Sequence, residues 1–137
     1  HNFLCADVNL NELKQGRRVF NSERINFIYA DIFNSEIPQA SFDIITVNAA
    51  VQYFPDLSKL LNKLLPLIGD NGEIHLIDSP ISSISYSEMA DNYYHHTWDE
   101  LSAFKFEILY KPDSLKNKIK QSFFQKDSPF PWIKITR

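Results

Sequence analysis

The chain has 137 residues, of which 44% are hydrophobic and 23% are charged, so its size and composition predict one globular domain. Its formal net charge of −3 provides no basic surface for phosphate groups, and a single cysteine, Cys5, excludes an internal disulfide and a zinc site built from several cysteines. No apolar run reaches the ~18 residues that cross a bilayer, so we expect a cytoplasmic protein without nucleic-acid or membrane partners.

The first third of the sequence predicts a strand, a helix and a second strand. The apolar run NFLCAD, Asn2–Asp7, ends on an acid. Asn9 is a suitable N-cap for a helix, with Glu12 three residues later as the acid of a capping box. Apolar residues at helical spacing follow. A second run, INFIYA at residues 25–30, is followed by another acid, Asp31.

The middle of the sequence repeats this order. The run FDIITV, residues 42–47, is almost entirely apolar, which is typical of a central strand, and Asn48 follows it. Leucines and an isoleucine at spacings of three and four residues mark an amphipathic helix over residues 57–68, after an N-cap aspartate. Asp70, Asn71 and Gly72 predict a turn. The run EIHLI, residues 73–77, is a further strand and is followed by Asp78.

The last part of the sequence predicts a closing pair of strands. Apolar residues alternate with polar ones from Phe104 to Tyr110, and the sequence WIKITR, residues 132–137, has the same character. Only about 20 residues separate the two, which fits an antiparallel pair. A basic amphipathic helix is predicted between them, around Leu115–Phe123.

Together these elements predict an α/β fold with a mostly parallel twisted sheet, helices on both faces and an antiparallel C-terminal strand pair. Polar residues follow four successive strands, at Asp7, Asp31, Asn48 and Asp78. Ligands of open α/β sheets bind at the carboxyl ends of the strands. The sequence therefore predicts a ligand site at that edge.

The segments ADVNLNELKQG, YADIF, FDIITVNAAVQYFPD and LLPLIGDNGEIHLIDSP resemble the middle and later motifs of class I S-adenosylmethionine-dependent methyltransferases, which have a Rossmann-like fold. The resemblance covers Phe3 to Pro80. It implies methyl transfer from S-adenosyl-L-methionine, with a small molecule as the acceptor expected from the weak acidity and the aromatic C-terminal part.

The resemblance also implies a set of cofactor-binding residues. Asp7 matches the acid that accepts hydrogen bonds from the ribose hydroxyls, for which a carboxylate is suited. Asp31 matches the acid that binds the adenine amino group, with the backbone N–H of Ile32 facing the ring. Asn48 and Ala49 match the segment that passes the methionine part of the cofactor.

Acceptor-site residues are predicted in the second half of the chain. Tyr53, Asp78 and Tyr94 are candidates for contact with the substrate. His95 and His96 are the candidate catalytic bases, because the pKa of histidine suits proton transfer near neutral pH. They are adjacent, so on a regular element they point apart, and no metal site is predicted.

The resemblance does not include the family's first strand and the glycine-rich turn after it. The family's first strand ends in an acid and a glycine-rich turn, whereas none of the three glycines here lies in such a turn. We therefore expect a single methyltransferase-like domain over residues 1–137 that is incomplete at the N-terminus, with a first strand–helix unit of about 30 residues before His1, and the chain as it stands to be inactive. Two alternatives stay open, a non-catalytic binding or partner subunit and an NAD-dependent oxidoreductase.

Overall fold

The computed structural model describes residues 1–82, 93–112 and 128–137. Helices and strands alternate along most of the chain, so the predicted α/β class is confirmed. The chain forms two compact units, residues 1–37 and residues 38–137. Over the described part of the chain, no helix is long and apolar enough to cross a lipid bilayer. The basic helix predicted around Leu115–Phe123 lies outside the described residues.

The first unit is a strand–helix–strand motif with parallel strands. Its elements are β1 Phe3–Asp7, α1 Leu10–Val19 and β2 Ile25–Tyr29. Asn9 caps α1 as predicted, since its side chain accepts hydrogen bonds from the N–H groups of Asn11 and Glu12 at 3.0 and 3.4 Å. The Asn9 N–H itself donates to Asp7 Oδ1 at 2.7 Å. The predicted capping box has the Glu12 carboxylate accept a hydrogen bond from this N–H. In the structure Asp7 accepts it instead.

Helix α1 lies very close to β2 at Gly16. A Cβ atom built on Gly16 would lie 2.7 Å from Cε1 and 3.3 Å from Cζ of Phe27. Glycine lowers helix propensity at an interior position by about 1 kcal/mol relative to alanine. The glycine is explained by packing, because a larger residue would collide with the Phe27 ring.

We expect Gly16→Ala to destabilise the protein in spite of alanine's helix propensity. Overpacking costs about 1–3 kcal/mol, which exceeds the propensity gain. Combining Gly16→Ala with Phe27→Leu should remove much of this cost, so the two changes should show favourable coupling in a double-mutant cycle of urea unfolding. A stabilising effect of Gly16→Ala alone would show that the ring moves aside freely.

The second unit contains the remaining elements. They are β3 Phe42–Asn48, a 3-10 turn Val51–Tyr53, α2 Leu57–Leu64, a 3-10 turn Leu65–Leu67, β4 Ile68–Ile77, β5 Ile81–Ser82, β6 His96–Thr97, α3 Trp98–Leu101, β7 Lys105–Tyr110 and β8 Trp132–Thr136. Four of its strands form one sheet in the order β3-β4-β8-β7. β3 and β4 are parallel, whereas β8 is antiparallel to both β4 and β7, which confirms the predicted antiparallel closing pair.

Side chains at its two ends explain where α2 begins and where it stops. Asp56 caps α2, as its Oδ1 accepts the Lys59 N–H at 2.8 Å. Pro66 lies in the 3-10 turn that ends the helix, as proline cannot supply an N–H to a continuing helix. The predicted turn at residues 70–72 lies inside β4, where the register with β3 jumps from Ile68 to Glu73 and leaves an irregular bulge.

The core of the second unit comes from apolar residues that are almost fully buried. They lie on α2, the turn after it, β4, β8 and α3, and include Leu57, Leu60, Leu61, Leu64, Leu67, Ile68, Ile74, Leu76, Leu101, Ile133 and Ile135. The four α2 leucines confirm the helical spacing read from the sequence. Burial of each such side chain stabilises the fold by about 1.5–3 kcal/mol.

The prediction that FDIITV is a central strand is wrong for the described part of the chain. β3 lies at the edge of its sheet, and Ile44 is 58% exposed. β1 also pairs with a single described strand, and all five of its residues are exposed. The described strands belong to three separate sheets, β1-β2, β3-β4-β8-β7 and β5-β6, and not to one mostly parallel sheet.

A histidine inside β4 is held in one tautomer by a side chain of its own strand and by one of β8. His75 is 8% exposed, and the indole N–H of Trp132 donates to its Nδ1 at 2.9 Å. The ring proton therefore lies on Nε2, which donates to Glu73 Oε2 at 3.0 Å. The Trp132 bond joins β4 to β8 and the Glu73 bond lies within β4, so both ring nitrogens of this histidine are engaged in the sheet.

Candidate functional site

Two of the predicted acids lie at one edge of the first unit. Asp7 ends β1, and Asp31 follows β2 by two residues. The Ala30 N–H donates to the Asp7 carbonyl at 3.1 Å, which extends the parallel pairing to this edge. Both acids are exposed. The unit therefore presents two carboxylates where its parallel strands end, as the sequence predicted.

Asp31 also orders the turn that follows it. Its Oδ1 accepts the Phe33 N–H at 2.9 Å, and its Oδ2 accepts from the Asn34 amide at 2.6 Å. The Ile32 carbonyl accepts from the Ser35 hydroxyl at 2.9 Å. An ionised carboxylate has about four lone-pair sites, so these bonds leave Asp31 able to accept from a ligand.

The second unit has a matching edge, where β3 and β4 end side by side. Asn48 pairs with Ile77, and the Ala49 N–H donates to the Ile77 carbonyl at 2.9 Å. Ala49 and Asp78 then adopt left-handed backbone conformations, with φ of 48° and 49°. Such conformations cost non-glycine residues about 1–3 kcal/mol and cluster at functional sites.

A cavity of about 210 Å³ opens beside this edge. It is lined by Gln52, Asp78, Pro80, Tyr93 and Phe130. Of the three predicted substrate residues, Asp78 lines it. Tyr53 and Tyr94 are its neighbours.

The two neighbouring tyrosines support the wall of the cavity. The Tyr53 ring lies 5.4 Å from the Tyr93 ring, centroid to centroid, at 49° between planes. The Tyr94 N–H donates to the Gln52 carbonyl at 2.8 Å and so joins the tyrosine segment to the 3-10 turn. Tyr93 itself lines the cavity.

His96 is buried and fixed by two acceptors. Its Nδ1 lies 3.1 Å from Glu100 Oε1, and its Nε2 lies 3.2 Å from the Val51 carbonyl. Both ring nitrogens therefore lie within hydrogen-bond distance of an acceptor. With 1% of its surface exposed, His96 connects the 3-10 turn beside the cavity to α3.

His95 differs from its neighbour in its electrostatics. It is half-buried, and burial lowers its pKa below the ordinary 6.5 of histidine, an effect that His96 strengthens and Glu100 opposes. A lowered pKa keeps the imidazole neutral at neutral pH, which is the state that can accept a proton. Burial alone would raise the pKa of Glu100, but hydrogen bonds from Thr97 and His96 lower it overall.

Acid should destabilise the protein through His95 and Glu100 in two successive pH ranges. Both pKa values are lowered on folding, so the unfolded state binds more protons and stability decreases as the pH is lowered. The loss at His95 begins as the pH falls through 6.5 and ends once the folded protein also protonates it. The loss at Glu100 begins as the pH falls through 4.5.

Urea midpoints measured across pH test this expectation. His95→Gln should flatten the upper range and Glu100→Gln the lower one. Asp99→Asn changes an exposed acid on the same helix and should leave both ranges as they are. An unaltered acid dependence in both glutamine variants would contradict the assignment.

Four of the five cavity residues were not among the predicted site residues, namely Gln52, Pro80, Tyr93 and Phe130. Gln52 was recognisable by its position after β3, although glutamine there is as often a packing residue. Pro80 carries no chemical signal. Phe130 lies 52 positions after Asp78 along the chain, and only tertiary folding brings it to the cavity.

The strand-end residues fit S-adenosylmethionine chemically within each unit. An exposed carboxylate at the end of β1 suits a vicinal diol, which offers two hydrogen-bond donors. In the second unit, a small exposed residue in a left-handed conformation, Ala49, leaves the backbone open to close approach by a ligand. The residues present therefore suit the group that the resemblance implies.

Sequence comparison identifies relatives over the first half of the chain. The model of the family described as methyltransferase domain matches residues 1–76, more than half of the chain. An uncharacterized methyltransferase of Mycobacterium tuberculosis is 28% identical over 73 residues, which are 53% of this chain and 37% of that protein. A Mycobacterium bovis relative matches to the same extent. The chain thus spans little more than a third of the length of these curated relatives.

Structure comparison covers almost the whole chain. The crystal structure of YcgJ from Bacillus subtilis matches with a TM-score of 0.66 and 14% identity, over 99% of this chain and 82% of that one. An S-adenosylmethionine-dependent methyltransferase from Mesorhizobium loti matches with a TM-score of 0.64 and 15% identity, over 98% and 78% of the two chains. At such identities the likeness shows the fold alone, which is α/β and Rossmann-like.

Proposed function

This chain belongs to the methyltransferase domain family, and from that premise we propose that its protein transfers a methyl group from S-adenosylmethionine to a small molecule. The observation that supports this most is that the family match, residues 1–76, includes polar residues at the ends of three parallel strands. Neither alternative, a non-catalytic partner subunit or an NAD-dependent oxidoreductase, has an observation in its favour.

The proposed cofactor contacts follow from the chemistry of each strand end. Asp7 would accept hydrogen bonds from the ribose hydroxyls, and Asp31 from the adenine amino group. The Ile32 N–H would face the adenine ring. Asn48 and Ala49 would pass the methionine part, where the small Ala49 side chain leaves room.

The proposed acceptor site is the cavity at Asp78, with Tyr53 and Tyr94 supporting its wall. When bound, S-adenosylmethionine supplies a methyl group on a sulfonium, which an acceptor's lone pair takes in line as the carbon–sulfur bond breaks. Asp78 and the aromatic wall would hold the acceptor in that line. Positioning of this kind supplies much of the rate in such reactions.

We propose that His95 is the general base when the acceptor must lose a proton. Its lowered pKa leaves the imidazole neutral and able to accept that proton. The ring nitrogens of His96 are both engaged, so His96 would act with His95 by holding Glu100 and the 3-10 turn.

The change His95→Ala should lower kcat by about 100-fold or more, since a positioned base contributes on that scale. His96→Ala should act through stability as well as rate, because its hydrogen bonds are buried. Measuring the rate at saturating substrate and the denaturation midpoint of each variant separates an effect on catalysis from an effect on stability. A loss of less than about tenfold in both variants would remove the histidine base from the proposal.

Calorimetry of S-adenosylhomocysteine binding to the intact protein tests the function itself. Micromolar binding that Asp31→Ala weakens is the expected result. Failure of a folded protein to bind would overturn the proposed activity and leave the non-catalytic alternative, whereas binding of NADH in its place would favour the oxidoreductase.

We further propose that residues 1–137 belong to a single methyltransferase domain that is completed by a strand before residue 1. The family match runs across the boundary between the two compact units. Among the described strands β3 has a partner on one side alone, and Ile44 is 58% exposed, as a missing parallel neighbour would leave them. Hydrogen exchange at β3 amides should be slower in a longer form of the protein than in residues 1–137 alone.

A further inference from the structure

The charged side chain on the wall of the cavity beside β4 is the Asp78 carboxylate, which accepts hydrogen bonds. Gln52 and Tyr93 are its neutral polar side chains, and Pro80 and Phe130 supply apolar surface. No lysine, arginine or histidine is present among the described residues that line it. The wall therefore favours a ligand with hydrogen-bond donors, because an anionic ligand would meet the Asp78 carboxylate with no cationic side chain among these lining residues to offset it.

The Gln52 amide is fixed in one orientation. Its Nε2 donates to the Ala49 carbonyl at 2.7 Å, and a flipped amide would set two oxygens against each other. The Oε1 atom is consequently the free end of the amide. It is buried, and within the described part of the chain it has no hydrogen-bond partner. Leaving a buried acceptor unsatisfied is costly, so a ligand that places a hydrogen-bond donor at Oε1 would be favoured.

Hydrogen bonds join the two segments that contribute Asp78 and Phe130 to the cavity wall. The Ser128 hydroxyl donates to Asp78 Oδ1 and accepts the Phe130 N–H at 3.1 Å. The Tyr110 hydroxyl donates to the Ser128 carbonyl at 3.3 Å. These bonds attach the Phe130 segment to the end of β4, so the aromatic ring and the carboxylate keep their relative positions.

Two aromatic rings complete the chemistry of the wall. Tyr93 and Phe130 are 41% and 36% exposed, so part of each ring is available to a ligand. Aromatic faces attract organic cations, and they offer flat apolar surface to a ring or short chain.

We propose that this cavity binds a small organic ammonium ion carrying a flat apolar body, and that this is the class of methyl acceptor. The ammonium group donates to Asp78 and to Gln52 Oε1, while the apolar body lies between Tyr93 and Phe130. The inference rests on the proposed function and adds the substrate class to it. The ammonium group serves as the anchor by which the acceptor is recognised.

Three phenylalkyl probes of different charge test this on the intact protein. They are 2-phenylethylamine, which is a cation at neutral pH, 2-phenylethanol, which is neutral, and 3-phenylpropanoate, which is an anion. Calorimetry or ligand-observed NMR should show the amine binding about tenfold more tightly than the alcohol, as charge-assisted hydrogen bonds are about twice as strong as neutral ones. The anion should bind most weakly.

Matched variants locate the preference. Asp78→Asn should abolish the preference for the amine, and it keeps the left-handed backbone because asparagine tolerates that conformation. Gln52→Met removes Oε1 at similar volume and should weaken amine binding severalfold. Asp70→Asn removes an equal charge from a fully exposed side chain that is not part of the cavity wall, and it should leave binding unchanged.

Parallel titration with S-adenosylhomocysteine separates this inference from the function on which it rests. Cofactor binding without an amine preference, or with no binding of any probe, overturns the inference and leaves methyl transfer standing. Amine binding without cofactor binding supports the chemistry of the cavity and overturns methyl transfer. An amine preference that persists in Asp78→Asn would overturn the assignment of the anchor.

Discussion

Replacing Asp7 with asparagine should weaken the binding of S-adenosylhomocysteine by roughly 10- to 100-fold, the largest effect on binding that we expect. A hydrogen bond to a charged group is worth about 1.5–3 kcal/mol, and each 1.4 kcal/mol is a factor of ten in affinity. Asparagine keeps the shape and leaves an oxygen for the Asn9 N–H, which now donates to Asp7 Oδ1. The change therefore removes the charge and little of the local structure.

The matched control for this variant is Asp43→Asn. Asp43 is an exposed acid on β3, and no cofactor role is proposed for it. Isothermal titration of the intact protein should give a normal affinity for the control and a weakened one for Asp7→Asn, with equal circular dichroism for both. An equal affinity in the two variants would show that the ribose is bound elsewhere.

Gly72→Ala should have the largest effect on stability, about 2–3 kcal/mol or more, as expected for overpacking against atoms that cannot move aside. An added Cβ would lie 2.7 Å from the Ile68 Cβ and 3.0 Å from the backbone N and O of Gly69. Ile68 is fully buried. Relief of the collision would require the bulge at the start of β4 to open, which would disturb its pairing with β3.

Gly69→Ala is a control from the same bulge. The nearest atom to a Cβ on Gly69 is the Phe42 carbonyl oxygen at 4.0 Å, an ordinary contact. Alanine there should be neutral or should stabilise by up to about 1 kcal/mol, because it restricts the unfolded chain. Urea unfolding of the two variants compares them directly. Similar losses in both would mean that bulge flexibility, and not the collision, sets the cost.

Local sequence chemistry predicted most of the elements correctly. Asn9 and Asp56 cap their helices, and the α2 leucines form the buried face because a period of 3.6 residues places them together. The carboxyl ends of β1 and β2 hold Asp7 and Asp31, as expected for parallel strands. These features depend on residues a few positions apart, so the sequence alone is enough to predict them.

Burial in the strands could not be predicted in the same way. The run FDIITV has the composition of a central strand, yet β3 lies at a sheet edge because whether a strand is covered depends on its neighbours. The turn read at residues 70–72 became a bulge because β4 continues past it to pair with β3. In both cases a partner distant along the chain decided the outcome.

The sequence by itself determined the α/β class, the caps and the polar residues at the strand ends, since each follows from periodicity or from hydrogen bonds within one or two turns of chain. Only the tertiary structure decided which histidine has both ring nitrogens engaged by acceptors and which cavity forms. His96 is engaged by Val51, 45 positions earlier, and Phe130 reaches the cavity through Ser128 and Asp78, 50 positions apart. Hydrogen bonds of that separation exist only once the chain has folded, because no local pattern encodes the partner.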